Sequence, residues 1–300
     1  MEPLFLAVIC GCNAGLFREV LHEVYIPRIQ RGDISFAANV LGARGALLSV
    51  LAHFFEQGRW GCPLETGLEG QTLTAEDQLF ILMQAGLYLT ATRGTAAPEV
   101  RICYERAESL CHSLNRPRLL YAALIGQWRY SLQTDKLTAT MQIAKRVYSL
   151  AQERNEAGLM IGACQALACT LCFLGDFETA QRYAMRGVQI WRSGGLQPLV
   201  EEVSAPAVMC LCWEALSKSL LGEIAFSRPT MAEAISLAKE LNDMYGLAAA
   251  LNCAAILAHM ERNVADKRQN IMNKVWFITG AGSGMRTGTA KAASGGLRGP

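Results

Sequence analysis

The chain has 300 residues, 51% of them hydrophobic and only 18% charged, enough to bury a sizeable core and too apolar for a disordered polyelectrolyte. Its 28 Lys and Arg against 26 Asp and Glu leave a net charge of +2, so charge gives no reason to expect nucleic acid or an anionic membrane as partner. Eleven cysteines, an odd number without framework spacing, fit free buried thiols in a reducing compartment, and the expectation is a cytoplasmic protein.

Residues 1–33 read as an uncertain N-terminal helical segment. Leu4–Cys12 has the length of a signal-peptide core, but Glu2 stands where a basic stretch belongs, which favours a buried first helix. From about residue 34 to 265 the chain reads as helices with almost no strand signal. Thr74 caps a helix through Leu79 to Leu89, and Pro98 suits the first turn of the helix after Gly94. Val100, Cys103, Ala107 and Leu110 recur at helical spacing, as do Leu137, Met141, Ala144, Tyr148 and Ala151. Leu159–Gly175 carries no charge yet contains Gly162, Gln165 and Thr170, which favours a core helix over a membrane span. Phe177, Ala180, Ala184, Val188 and Trp191 again line one helix face. Gly194–Pro198 and most of Gly58–Gly70 read as loops. Thr230 and Glu233 form a capping box directly after Pro229, so a new helix is expected to begin there.

The turns between paired helices fall near Gly94, Asp135, Gly175 and Gly222, spaced by 41, 40 and 47 residues. A helix pair cannot bury its apolar faces alone, and stacked pairs cover one another. The expected fold is therefore all-α, a solenoid of helical hairpins. Leu174-Gly-Asp-Phe-Glu-Thr-Ala180 resembles the turn and second-helix start of a tetratricopeptide repeat, with Thr140 in the alanine position of the preceding repeat. Gly45 to Asn263 resembles the tetratricopeptide region that follows the ATPase in bacterial signalling proteins of the cyclase-associated or LuxR-associated type. The matching pieces are RGALLSVLAHFFEQG, ATRGTAAPEVRICYERAESLC and LACTLCFLGDFETAQRYAMRGVQIW. There is no P-loop and no cyclase domain. This resemblance implies a non-catalytic interaction arm, detached from its ATPase.

Residues 266–300 change character, with seven glycines in the last twenty-one positions. KVWFITGAGSGM resembles the opening strand and cofactor loop of short-chain dehydrogenases, with Thr279, Gly280 and Gly284 on that family's glycine pattern. Arg286 replaces its final glycine, where a side chain would block the pyrophosphate. No second strand and no Tyr-x-x-x-Lys pair follows. The expectation is a vestigial motif in a non-globular tail, the product of a truncated fusion. An inactive NAD(P)-dependent dehydrogenase relative is the alternative function.

Chemistry is sparse. Cys169 and Cys172 form the only C-x-x-C, mid-helix and without a second pair, so both read as buried thiols, as do Cys210 and Cys212. His22, His53, His112 and His259 are scattered, and no catalytic motif, metal site or cofactor is expected. With Gly175 as the turn, repeat geometry sends Gly162, Gln165, Cys169, Cys172 and Phe173 toward a concave face. The preceding repeats add Arg129 and Gln133, then Gln84 and Tyr88. Such a groove suits an amphipathic helix or peptide. Alternatively, this face packs against the parent ATPase or a neighbouring turn of the array. Uncapped repeat ends imply self-association.

Overall fold

A computed structural model describes residues 1–32, 36–39, 41–56, 59–64, 67–134, 136–194 and 205–262. The described residues are mostly helical and contain no strand, so the protein is all-α; one isolated bridge joins Phe55 to Pro63. Contacts divide the chain into two units, Met1–Tyr130 and a second beginning at Ser131. Position 135, most of the loop after Gly194 and the glycine-rich tail with Thr279, Gly280 and Gly284 lie outside the described residues.

The first unit opens with α1 (Glu2–Asn13), whose Pro3 occupies the first turn and whose Val8, Gly11 and Cys12 are buried. Next, α2 (Phe17–Glu19) runs into a π-helical stretch over Val20–Gln30. Pro27 lies inside that stretch. Proline lacks an N–H and crowds the carbonyl four residues back, and a wider turn relieves both problems. The short α3 (Phe36–Asn39) and α4 (Arg44–Leu51) lead to α5 (Ala75–Arg93) and α6 (Pro98–Ser113). Val8, Tyr25, Leu51, Phe54, Leu79 and Leu89 share one core, so the N-terminal segment is an integral part of this unit.

Local chemistry sets the helix ends. Thr74 accepts from the Asp77 amide, and Asp77 returns bonds to the Thr74 amide and hydroxyl, a full capping box. Pro98 sits in the first turn of α6, as its missing N–H permits. Tyr104 of α6 lies against Gly86 of α5 and Gly126 of α7 (Pro117–Gln133), where any added Cβ would collide with its ring. These glycines stand 40 residues apart, at matching places in successive hairpins.

The second unit contains α8 (Leu137–Arg154), α9 (Ala157–Leu174), α10 (Phe177–Gly194), α11 (Pro206–Leu220), α12 (Ile224–Glu240) and α13 (Met244–Arg262). Each packs on the next, and α11 also packs on both α9 and α13. Buried Thr140 spends its hydroxyl on Ser131 (2.9 Å) and the Lys136 carbonyl, which explains why this position tolerates a residue other than alanine. Gly175 caps α9 in the left-handed conformation (φ 84°), and Gly222, one residue past the right-handed cap Leu221, follows α11 at φ 92°. Apolar on nearly all sides, α9 is long and apolar enough to cross a membrane, yet 72% of it is buried among its neighbours. It is a core helix.

One boundary differs from expectation. The capping box at Thr230 does not start a helix: α12 begins at Ile224 and runs through Pro229. Ser227 and Thr230 instead turn their hydroxyls onto the Ile224 and Phe226 carbonyls (2.8 and 2.9 Å), satisfying acceptors around the proline. The start of α13 is held by Asp243, which accepts from the Gly246 amide (2.8 Å) and also from the Ala205 amide at the start of α11 (2.7 Å).

Candidate functional site

Three alternate helices of the second unit, α9, α11 and α13, build an apolar pocket. Its lining is Cys172 and Phe173 from α9, Trp213, Leu216 and Leu220 from α11, and Ile256 and Met260 from α13. Phe173 and Trp213 meet edge-to-face, with centroids 5.7 Å apart. The only polar atom of the Trp213 side chain, its indole nitrogen, is buried without an acceptor among the described residues. The side chains that line the pocket are uncharged and mostly apolar, so it suits an apolar group. In its wall the Cys172 thiol is pushed up to about 12 by burial, with Ser217 opposing and Cys253 adding to the rise. Burial also raises the Cys169 thiol well above its ordinary value. Protonated thiols of this kind are neither nucleophiles nor metal ligands. Among the described residues no group of three His, Cys, Asp or Glu side chains is arranged to hold a metal ion.

The six groove residues expected from the sequence divide between the two units. Gln84, Tyr88 and Arg129 belong to the first, and Gln133, Gln165 and Phe173 to the second. Phe173 lines the pocket. Gln165 does not: it is 5% exposed, enclosed within α9 and its neighbours. Gln133 is half-buried near the end of α7 and lines no part of the pocket. Two further residues expected on this face, Gly162 and Cys169, are buried within the unit.

In the first unit the corresponding face is already occupied. Tyr88 is fully buried, because Gln30 donates to its hydroxyl at 2.7 Å and to that of Tyr25 at 3.0 Å. The same amide reaches Gln84 at 3.4 Å. Tyr25 packs edge-on to Phe54 and Phe80, and His22 lies 2.8 Å from the Asp77 carboxylate. The π-helical stretch thus covers α5, and Tyr88 cannot receive a partner there. Arg129 is half-buried close to Tyr104; its charge opposes the burial that raises the Tyr104 phenol to about 12.

The His22–Asp77 pair is the nearest approach to a catalytic dyad. Asp77 is also committed to the Thr74 cap, and the pair joins the N-terminal segment to α5 as a latch. The sequence reading missed Trp213, Leu216, Leu220, Ile256 and Met260. Trp213 was within reach, standing 40 residues after Phe173 in the hairpin register. No protein-family model matches this chain, and no curated protein does either.

Proposed function

We propose that this chain is a non-catalytic, cytosolic scaffold of tetratricopeptide-like helical hairpins that holds an apolar segment of a partner polypeptide between α9, α11 and α13. By the resemblance of Gly45–Asn263, it is an interaction arm of a bacterial signalling ATPase. The observation that carries the reading is the pocket itself: three alternate helices line it with uncharged side chains, among them Phe173 and Trp213 in edge-to-face contact. Such a surface selects large aliphatic or aromatic side chains presented at helical spacing. The neighbouring thiols and the solitary His22–Asp77 pair supply no reaction.

The test is a panning of the full chain with a random peptide library, followed by titration of the selected peptides using intrinsic tryptophan fluorescence. The expected peptides are amphipathic helices with two or three large apolar anchors. Leu216→Glu, which places a carboxylate in the pocket, should weaken them at least tenfold while Leu6→Glu, on an exposed residue of α1, leaves them unchanged. Selected peptides indifferent to Leu216→Glu would remove this site from consideration. Binding of NAD(H) or NADP(H) at millimolar concentration, with oxidoreductase turnover, would favour the dehydrogenase alternative instead.

A further inference from the structure

The outward faces of α8 and α10 carry positive charge that the chain does not neutralise. Residues 137–152 contain Lys145 and Arg146 and no acid, and residues 179–194 contain Arg182, Arg186 and Arg192 and no acid. Lys145, Arg146, Arg182 and Arg186 are all exposed. Other surface arginines have a carboxylate beside them, as Arg93 has Glu99, Arg116 has Glu76 and Arg192 has Glu233. Among the described residues no carboxylate lies within ion-pair distance of Lys145, Arg182 or Arg186. Aromatic contacts hold the two helices side by side. Tyr148 of α8 meets Tyr183 of α10 edge-on, with centroids 5.5 Å apart. The Arg186 guanidinium lies over the Tyr148 ring, 5.5 Å from its centroid, and donates to its hydroxyl. Arg182, one turn before Arg186, donates to the Thr179 hydroxyl at 3.0 Å. Lys145 stands one turn before Tyr148 on α8, so the three cations line a single strip.

We infer that this strip docks an acidic helical segment of a partner polypeptide. Charge complementarity selects the partner: a carboxylate would supply to each of these cations the pairing that their counterparts elsewhere on the surface already have. Tyr148 and Thr179 orient the two guanidinium groups, each of which keeps N–H donors for a carboxylate, so less side-chain freedom is lost on docking. Arg182 and Arg186, four residues apart, are spaced to meet carboxylates one turn apart on a docking helix. Met185, 48% exposed and adjacent to Arg186 in the chain, offers such a segment one apolar contact. A phosphate polymer fits less well. Exposed Glu153 and Glu178 stand in end turns of α8 and α10, and exposed Glu223 accepts from Gln181 at 3.1 Å. These acids bound the strip and would repel a continuous line of phosphates. The pocket is lined from α9, α11 and α13, so the inference does not rest on the reading of that site.

The experiment titrates the full chain into a fluorescein-labelled peptide of repeated Glu-Glu-Leu-Glu at low ionic strength, read by fluorescence anisotropy. Binding is expected, weakening steadily as salt is added. Arg182→Glu combined with Arg186→Glu should weaken it roughly tenfold or more and confer binding of the matching Lys-Lys-Leu-Lys peptide, with the helical circular dichroism preserved. Lys145→Glu alone should weaken it by a smaller factor, and it decides the matter if the double variant does not fold. Arg101→Glu combined with Arg106→Glu, on exposed residues of α6, makes the same change of net charge and should leave binding as it was. Failure of the wild-type chain to bind the acidic peptide overturns the inference. So does binding that the reversals on α8 and α10 leave intact, or that the α6 pair weakens as strongly. Duplex DNA or phosphatidylserine vesicles that bind more tightly than the peptide, and are released by the same reversals, would assign the strip to phosphate groups and overturn it as well.

Discussion

The inner face of α5 in the first unit and the inner faces of α9, α11 and α13 in the second begin from similar sequence and end in opposite states. Both belong to the less charged helix of a hairpin. On α5 the chain lays its own residues 17–30 across the face, through Tyr25, Gln30 and His22. On α9, α11 and α13 the described residues leave a pocket open around Phe173 and Trp213. A helix face is thus not a groove by virtue of its register; it becomes one where no other part of the chain covers it.

The sharpest way to break this comparison is Tyr25→Ala. Tyr25 is fully buried between Phe54 and Phe80, and its loss removes an aromatic ring from the core along with a hydrogen bond from Gln30. The expected cost is about 3–5 kcal/mol, read by urea denaturation with circular dichroism. If the N-terminal segment were instead a detachable cover over a ready-made groove, the variant would lose little stability and would gain affinity for apolar peptides.

The counterpart in the second unit is Phe173→Ala. Its ring is half-buried and meets that of Trp213 edge-to-face. Less apolar area leaves water when this residue folds, so the expected cost is about 1–2 kcal/mol. A loss as large as that of Tyr25→Ala would mean that the pocket is closed in solution.

These contrasts also explain what could be read from the sequence. Thr74, Pro98 and Gly175 act on backbone groups within a few residues of themselves, and each marks its helix end where the sequence places it. Ala180 and Ala184 are fully buried, as the periodicity of α10 requires. Pro229 misled because the hydroxyls that accommodate it belong to Ser227 and Thr230, one of which read as a cap. The covering of α5 was illegible for a different reason. Gln30 and Tyr88 are 58 residues apart, and a π-helical stretch containing Pro27 has no 3.6-residue rhythm to betray its buried side. In the pocket, the 40-residue step carries Phe173 to Trp213, but α13 enters at Ile256, 43 residues further on, and the register alone does not reach it.

The smallest effect concerns the latch on that cover. Asp77 is almost completely buried. Burial by itself would raise its pKa, but the hydrogen bonds from Thr74 and then from His22 outweigh it and hold the carboxyl below the ordinary 3.8. A carboxyl depressed in the folded state contributes its stabilisation in full above the unfolded value, and that contribution disappears as pH falls through the folded value. Asp77→Asn keeps the side chain's shape but gives up the charge that Thr74 and His22 address, at an expected cost of about 1 kcal/mol near neutral pH. Thermal unfolding of the two proteins from pH 7 to pH 2 checks this. The gap between them should stay constant down to about pH 4 and close below it, as the wild-type carboxylate takes up its proton. A gap that persists unchanged at pH 2 would assign the cost to altered packing around Thr74, and the covering segment would then be held on α5 by its apolar contacts alone.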